Sequence, residues 1–142
     1  MATETLSTRY CIAGGGPAGM MLGFLLARAG IDVVVLEKHT DFLRDFRGDT
    51  IHPSTLDVMA ELGLLNEFLK QPHDEVTHVG AEFGDVRLRI ADFTHLPTRC
   101  KFVAFMPQWD FLNFLAERAR ALPAFRLLME TEALISSRRP PA

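Results

Sequence analysis

Gly14, Gly16 and Gly19 stand in the spacing G-x-G-x-x-G within the run GGGPAG. Glycines so spaced suit the holding of a phosphate. Gly14 permits a tight turn, Gly16 lets the backbone come close to a pyrophosphate, and Gly19 lets a following helix pack close on its strand. Pro17 and Ala18 occupy the head of that helix, where free N–H groups and positive potential favour an anion. Glu37 follows Gly19 by 18 residues. A carboxylate there can accept both hydroxyls of an adenosine ribose and would repel a 2′-phosphate, which disfavours NADP at this turn. Lys38 beside it is either a contact for phosphate or adenine or a solvated surface lysine.

These residues need a strand before the turn, a helix after it and a second strand ending in the acid. Residues 9–13 read as the first strand. Pro17 to Ala29 reads as the helix, ended by Gly30. The run Asp32-Val33-Val34-Val35-Leu36 is β-branched throughout, as in a parallel strand buried on both faces. Together they form a βαβ unit of about 30 residues with a right-handed crossover. Gly23, Leu26 and Gly30 extend the glycine and leucine spacing towards Glu37.

Residues 38–53 read as a polar loop. Ser54 is expected to cap a helix from Thr55 to Leu62, with Asp57 completing a capping box. Gly63 separates it from a short helix over Leu64–Lys70. Val76–Phe83 and Val86–Ile90 alternate at period two around Gly84-Asp85, the pattern of a hairpin. Lys101–Met106 reads as a strand. Asp110 is expected to cap a helix reaching Ala121, and strands are expected over Phe125–Met129 and from Ala133.

The composition sets limits. In 142 residues, 48% are hydrophobic and 23% charged, which suits one globular domain. A formal charge of −3, with no basic cluster larger than Arg138-Arg139, argues against a nucleic-acid surface. The two cysteines are too few for a disulfide framework, and Cys11 is expected to be a buried thiol in a cytoplasmic protein. No signal-peptide core is visible, and no apolar stretch is long enough to span a bilayer. His73 and His78 lie five apart, off a common helix face, and make a poor metal pair. The remaining histidines, His39, His52 and His95, are scattered.

Residue chemistry leaves NAD and FAD both open. The segments CIAGGGPAGMMLGFLLARAGIDVVVLEK, RDFRGDTIHPSTLDVMAELGLL and FMPQWDFLNFLAERA, in this order, resemble the FAD-dependent aromatic monooxygenases of para-hydroxybenzoate hydroxylase type. The resemblance runs over nearly the whole chain; its first segment is common to many flavin and NAD enzymes, and the other two are more specific. It implies a Rossmann-like α/β FAD-binding fold over residues 1–142, with 76–106 beginning the substrate-side sheet as an inserted hairpin and strand. It also implies that Arg47 reaches the flavin pyrophosphate or ribityl region, with Arg44 a lesser candidate. The other reading of Arg47 is a loop arginine paired with Asp45 or Asp49. Gln108 is implied to contact the flavin chain; its other reading is helix capping.

The chemistry implied is flavin monooxygenation. NAD(P)H reduces the flavin, and one atom of O2 passes to an aromatic or similar electron-rich small molecule. The cofactor supplies that chemistry while the protein positions it and excludes water. No residue is assigned a catalytic role. Later family motifs, an Asp-Gly pair and a ribityl-binding Gly-Asp, have no counterpart in the right setting. The chain is therefore expected to be an N-terminal portion that is inactive alone. Two other readings stay open: another FAD-dependent oxidoreductase, and a non-enzymatic nucleotide-binding remnant.

Overall fold

A computed structural model of the chain describes residues 5–43 and 49–134. Along the chain run β1 (Tyr10–Ala13), α1 (Pro17–Arg28), β2 (Val33–Leu36), β3 (Thr50–Ile51), α2 (Pro53–Glu61) and α3 (Leu65–Phe68). There follow β4 (Asp74–Val76), β5 (His78–Phe83), β6 (Val86–Asp92), β7 (Val103–Phe105), α4 (Gln108–Arg120) and β8 (Phe125–Leu128). Two compact units emerge, residues 1–43 with 112–142 and residues 44–111, the division falling within α4 after Phe111.

The first unit is the α/β part. Its sheet has the order β1-β2-β8, all parallel, with Ala13 opposite Leu36 and Leu36 opposite Leu128. Val33, Val34 and Val35 are all buried, so side chains on both faces of β2 are shielded. The α1 helix lies tight on the sheet because Gly23 has no side chain: a Cβ there would stand 2.7 Å from Val35 Cγ2 and 2.9 Å from Phe125 Cε2. Its C-terminus closes in a Schellman motif. Gly30, at φ +75°, donates to the Ala27 carbonyl, and Ile31 donates to that of Leu26. Cys11 corrects an expectation: it is exposed. The β1 strand is one of the two outer members of the three, and Tyr10, Cys11 and Ala13 are all open to solvent.

The second unit holds two small antiparallel sheets. The first has the order β3-β7-β4, and the second is the β5-β6 hairpin. The hairpin turns at Gly84-Asp85 with Gly84 at φ +58°, as its sequence implies. Neither β3 nor β4 is legible as a separate strand: they span two and three residues, too short for a period to register. Phe68 and Phe111 meet edge to face, centroids 5.7 Å apart.

Two helix starts differ from expectation. His52, not Ser54, is the N-cap of α2, with extended backbone and no side-chain cap bond. Proline fixes the reason: Pro53 lacks an N–H and has a helical φ, so it takes the first helical position and places Ser54 inside the first turn. Asp57 forms no capping box but accepts the Arg99 N–H at 3.0 Å. The α4 helix begins at Gln108, leaving Asp110 in its first turn, where a carboxylate faces the positive helix end. Residues 131–134 form no strand, and the rest of the expected strand from Ala133 lies outside the described residues.

Candidate functional site

The parallel register brings the carboxyl ends of β1, β2 and β8 to one edge of the sheet, the side on which open α/β sheets place ligands. Gly14 extends the ladder one step, donating to the Leu36 carbonyl at 2.8 Å. Its φ of +111° is closed in practice to other residues. Gly16 then adopts extended backbone and becomes the N-cap of α1, and its carbonyl accepts the Met20 N–H at 2.9 Å.

That helix head is open to an anion. No side chain caps it, and Pro17 takes the position whose N–H would be idle. The N–H groups of Ala18 and Gly19 precede Met20 and have no acceptor within the helix. A Cβ built on Gly14 or Gly16 meets nothing within 4 Å, so the missing side chains leave clear space over the turn. At Gly19 a Cβ would fall on the Gly14 carbonyl oxygen and stand 3.3 Å from Ile12 Cγ2. The Gly19 position thus lets the helix head close onto the turn, while Gly14 and Gly16 let a ligand approach it.

Glu37, just beyond β2, is the one buried charged residue among those described, 8% exposed. Its two carboxylate oxygens divide their work. Oε2 accepts the Gly15 N–H at 3.0 Å, and Oε1 accepts the His39 N–H at 3.1 Å. The acid therefore braces the glycine turn from below. A carboxylate has about four acceptor positions, more than these two backbone bonds use. Gly15 fits this closely, for a Cβ there would stand 3.0 Å from both Cβ and Oε2 of Glu37.

Of the residues singled out in the sequence, Gly14, Gly16, Pro17, Ala18, Gly19 and Glu37 converge at this edge. Lys38 follows Glu37 and is exposed. Gln108 belongs to the other unit, where it opens α4 half-buried and donates its backbone N–H to Asp49 Oδ1 at 3.4 Å. Arg44 and Arg47 lie outside the described residues.

A family model described as "FAD binding domain" matches residues 7–138. The chain belongs to that family. It is 37% identical to the rifampicin monooxygenase of Streptomyces venezuelae over 113 residues, 80% of this chain and 23% of the relative. It is 31% identical to the 6-methylpretetramide 4-monooxygenase of Streptomyces rimosus over 125 residues, 88% of this chain and 30% of the relative. Among solved structures, the p-nitrophenol 4-monooxygenase of Pseudomonas putida DLL-E4 superposes with a TM-score of 0.75 at 26% identity, covering 90% of this chain and 33% of that one. The chain thus spans between about a quarter and a third of the length of these proteins.

The cofactor of this FAD-binding domain is FAD, and the donor set at the turn fits it. Backbone N–H groups at a glycine-lined helix head suit a diphosphate. Two features of this edge escaped the sequence reading. The Gly15 N–H is engaged by Glu37 although Gly15 is not one of the three spaced glycines. His39, one of the scattered histidines, contributes through its backbone, donating to Glu37 and accepting from Glu130. Main-chain contacts leave no mark in residue identity. His73 and His78 have separate neighbours: His73 lies against Phe102 and Gln71, and His78 against Thr77 and Asp92. No helix among the described residues is long and apolar enough to cross a membrane.

Proposed function

We propose that this domain holds the FAD of an NAD(P)H- and O2-dependent monooxygenase acting on an aromatic or similarly electron-rich small molecule. The observation that carries the site reading is the open helix head behind Gly14 and Gly16, braced by buried Glu37. Gly14, Gly16, Pro17, Ala18 and Gly19 would form the pyrophosphate cradle. Glu37 would accept from the adenosine ribose, as an acid at the end of this strand is placed to do. Lys38, exposed next to it, would add positive charge near the phosphates or adenine. Arg47 would fork onto phosphate oxygens, a geometry a guanidinium suits, and the Gln108 amide would both donate to and accept from the ribityl hydroxyls.

The bound flavin would supply the redox chemistry, and the domain's work is to grip and orient it. The strands over 76–106 are assigned to the start of the substrate-side sheet. Monooxygenase names among relatives three to four times as long support the hydroxylation reading. We assign the chain to the cytoplasm, where Cys11 and Cys100 remain thiols. Titrating the chain with FAD while following flavin fluorescence tests the site. Saturable quenching, lost on Glu37→Ala and weakened on Gln108→Ala, is expected. Quenching indifferent to Glu37 would overturn the assignment.

A further inference from the structure

The register of β2 and β8 is regular from Val33 to Leu36, but the hydrogen bonds that carry it past their ends slip by one residue beside the candidate site. An unbroken parallel ladder alternates regularly. Val33 donates to the Ala124 carbonyl at one end, and Glu37 donates to the Leu128 carbonyl at the other. The next bond of that series would run from the Glu130 N–H to the Glu37 carbonyl. Instead Thr131 makes it, at 2.9 Å, and the Glu130 N–H passes on to the His39 carbonyl at 3.0 Å.

Glu130 is the extra residue, and it stands at φ +52°, the only non-glycine at positive φ among the described residues. A bulge with a left-handed residue bends its strand and re-aims the groups beside it. Here it allows consecutive N–H groups, those of Glu130 and Thr131, to hold the carbonyls of His39 and Glu37. That fixes both ends of the Glu37–Lys38–His39 segment. The same segment sends the His39 N–H to Glu37 Oε1, and Glu37 Oε2 takes the Gly15 N–H. The hydrogen bonds form one chain, from Glu130 through His39 and Glu37 to the glycine turn. A glutamate kept where glycine is favoured implies that its surroundings over-determine the conformation.

We infer that Glu130 is a positioning residue: its left-handed bulge at the end of β8 orients the Glu37 carboxylate towards the ribose and thereby preforms the phosphate turn. The backbone conformation acts, not the side chain, which is exposed. The ribose part of the inference rests on the proposed role of Glu37; the preforming part does not.

The test compares wild type with Glu130→Gly, Glu130→Ala and Glu130→Val in the full chain. Glycine accepts the conformation freely, alanine less so, and a β-branched valine poorly. Amide exchange is followed by NMR without ligand at Gly15 and His39, with Ala27 in α1 as an internal control. Slow exchange at Gly15 and His39 in wild type and E130G, accelerated in E130V and partly in E130A while Ala27 stays protected, supports preforming. Unchanged Gly15 and His39 amides in E130V overturn it. If E130V does not fold, the same comparison is read from E130A against E130G.

Affinities for ADP and 2′-deoxy-ADP supply the second reading. A preference for ADP of about tenfold, the scale of one hydrogen bond to a charged group, is expected in wild type and E130G. It should shrink towards one in E130V, whereas a merely structural defect weakens both nucleotides alike and would overturn orientation of Glu37. If wild type shows no preference, the ribose role of Glu37 fails, and the amide exchange still decides whether the bulge preforms the turn.

Discussion

Gly15 gives its backbone N–H to Glu37 Oε2 at 3.0 Å, across 22 positions of sequence. This bond joins the turn after β1 to the end of β2, and it makes one carboxylate serve two ends. The acid is an internal brace for the glycine turn. Its burial is tolerable because both oxygens are hydrogen-bonded.

Glu37→Gln tests the brace. An amide keeps one acceptor oxygen but turns an NH2 towards either Gly15 or His39, so one of the two bonds must fail. The expected loss of stability is about 1.5–3 kcal/mol, the scale for a hydrogen bond to a charged group. Urea unfolding of the ligand-free chain measures it. An unchanged midpoint would mean that the carboxylate does not brace the turn.

Two glycines of α1 should separate folding from binding. Gly23→Ala forces a methyl against Val35 and Phe125 in the core, and Gly19→Ala forces one onto the Gly14 carbonyl. Each is expected to cost about 1–3 kcal/mol by overpacking. Only Gly19→Ala should also displace the turn, so FAD affinity, measured where both variants are folded, should fall in Gly19→Ala and hold in Gly23→Ala.

Acid sensitivity is expected at the base of the β5-β6 hairpin. The Asp92 carboxylate accepts the Thr94 hydroxyl at 2.6 Å and its N–H at 3.0 Å, with His78 and His95 nearby. These hydrogen bonds, first that of the Thr94 side chain, hold its pKa down from 3.8 to about 2. A depressed carboxylate contributes stability above its unfolded pKa and loses it as pH falls through the folded one. The contribution should be whole above about pH 4 and fade towards about pH 2. Asp92→Asn should flatten that part of the stability curve, as read by urea midpoints at a series of acid pH values. An acid slope the same in both proteins would contradict it.

The βαβ unit was legible because its signals are local and strong. Val33–Val35 form a β-branched run, Pro17 opens a helix, Gly30 closes it, and the three spaced glycines leave few alternatives. The hairpin at Gly84-Asp85 was legible for the same reason. What escaped depends on partners distant in sequence. The exposure of Cys11 follows from the outer place of β1 in the sheet, which strand composition does not reveal. Thr50–Ile51 and Asp74–Val76 are strands because β7 pairs with both. Ser54 has the residue type of a cap, but Pro53 before it takes the first helical position and moves the cap back to His52. In the site, side-chain identity pointed to the glycines and Glu37, while Gly15, His39 and Glu130 act through main-chain groups that any residue owns.

The central claim is that the glycine turn grips the FAD diphosphate, and Gly16→Ala tests it most directly. Gly16 has an ordinary φ of −72°, and a methyl there meets nothing in the protein, so folding should change by no more than about 1 kcal/mol. The same methyl would stand in the space where a diphosphate must approach. Equilibrium titration with FAD, run on wild type and Gly16→Ala of matched thermal stability, should show saturable binding by wild type and at least about a tenfold loss in the variant. Equal affinity in the two proteins would contradict the account.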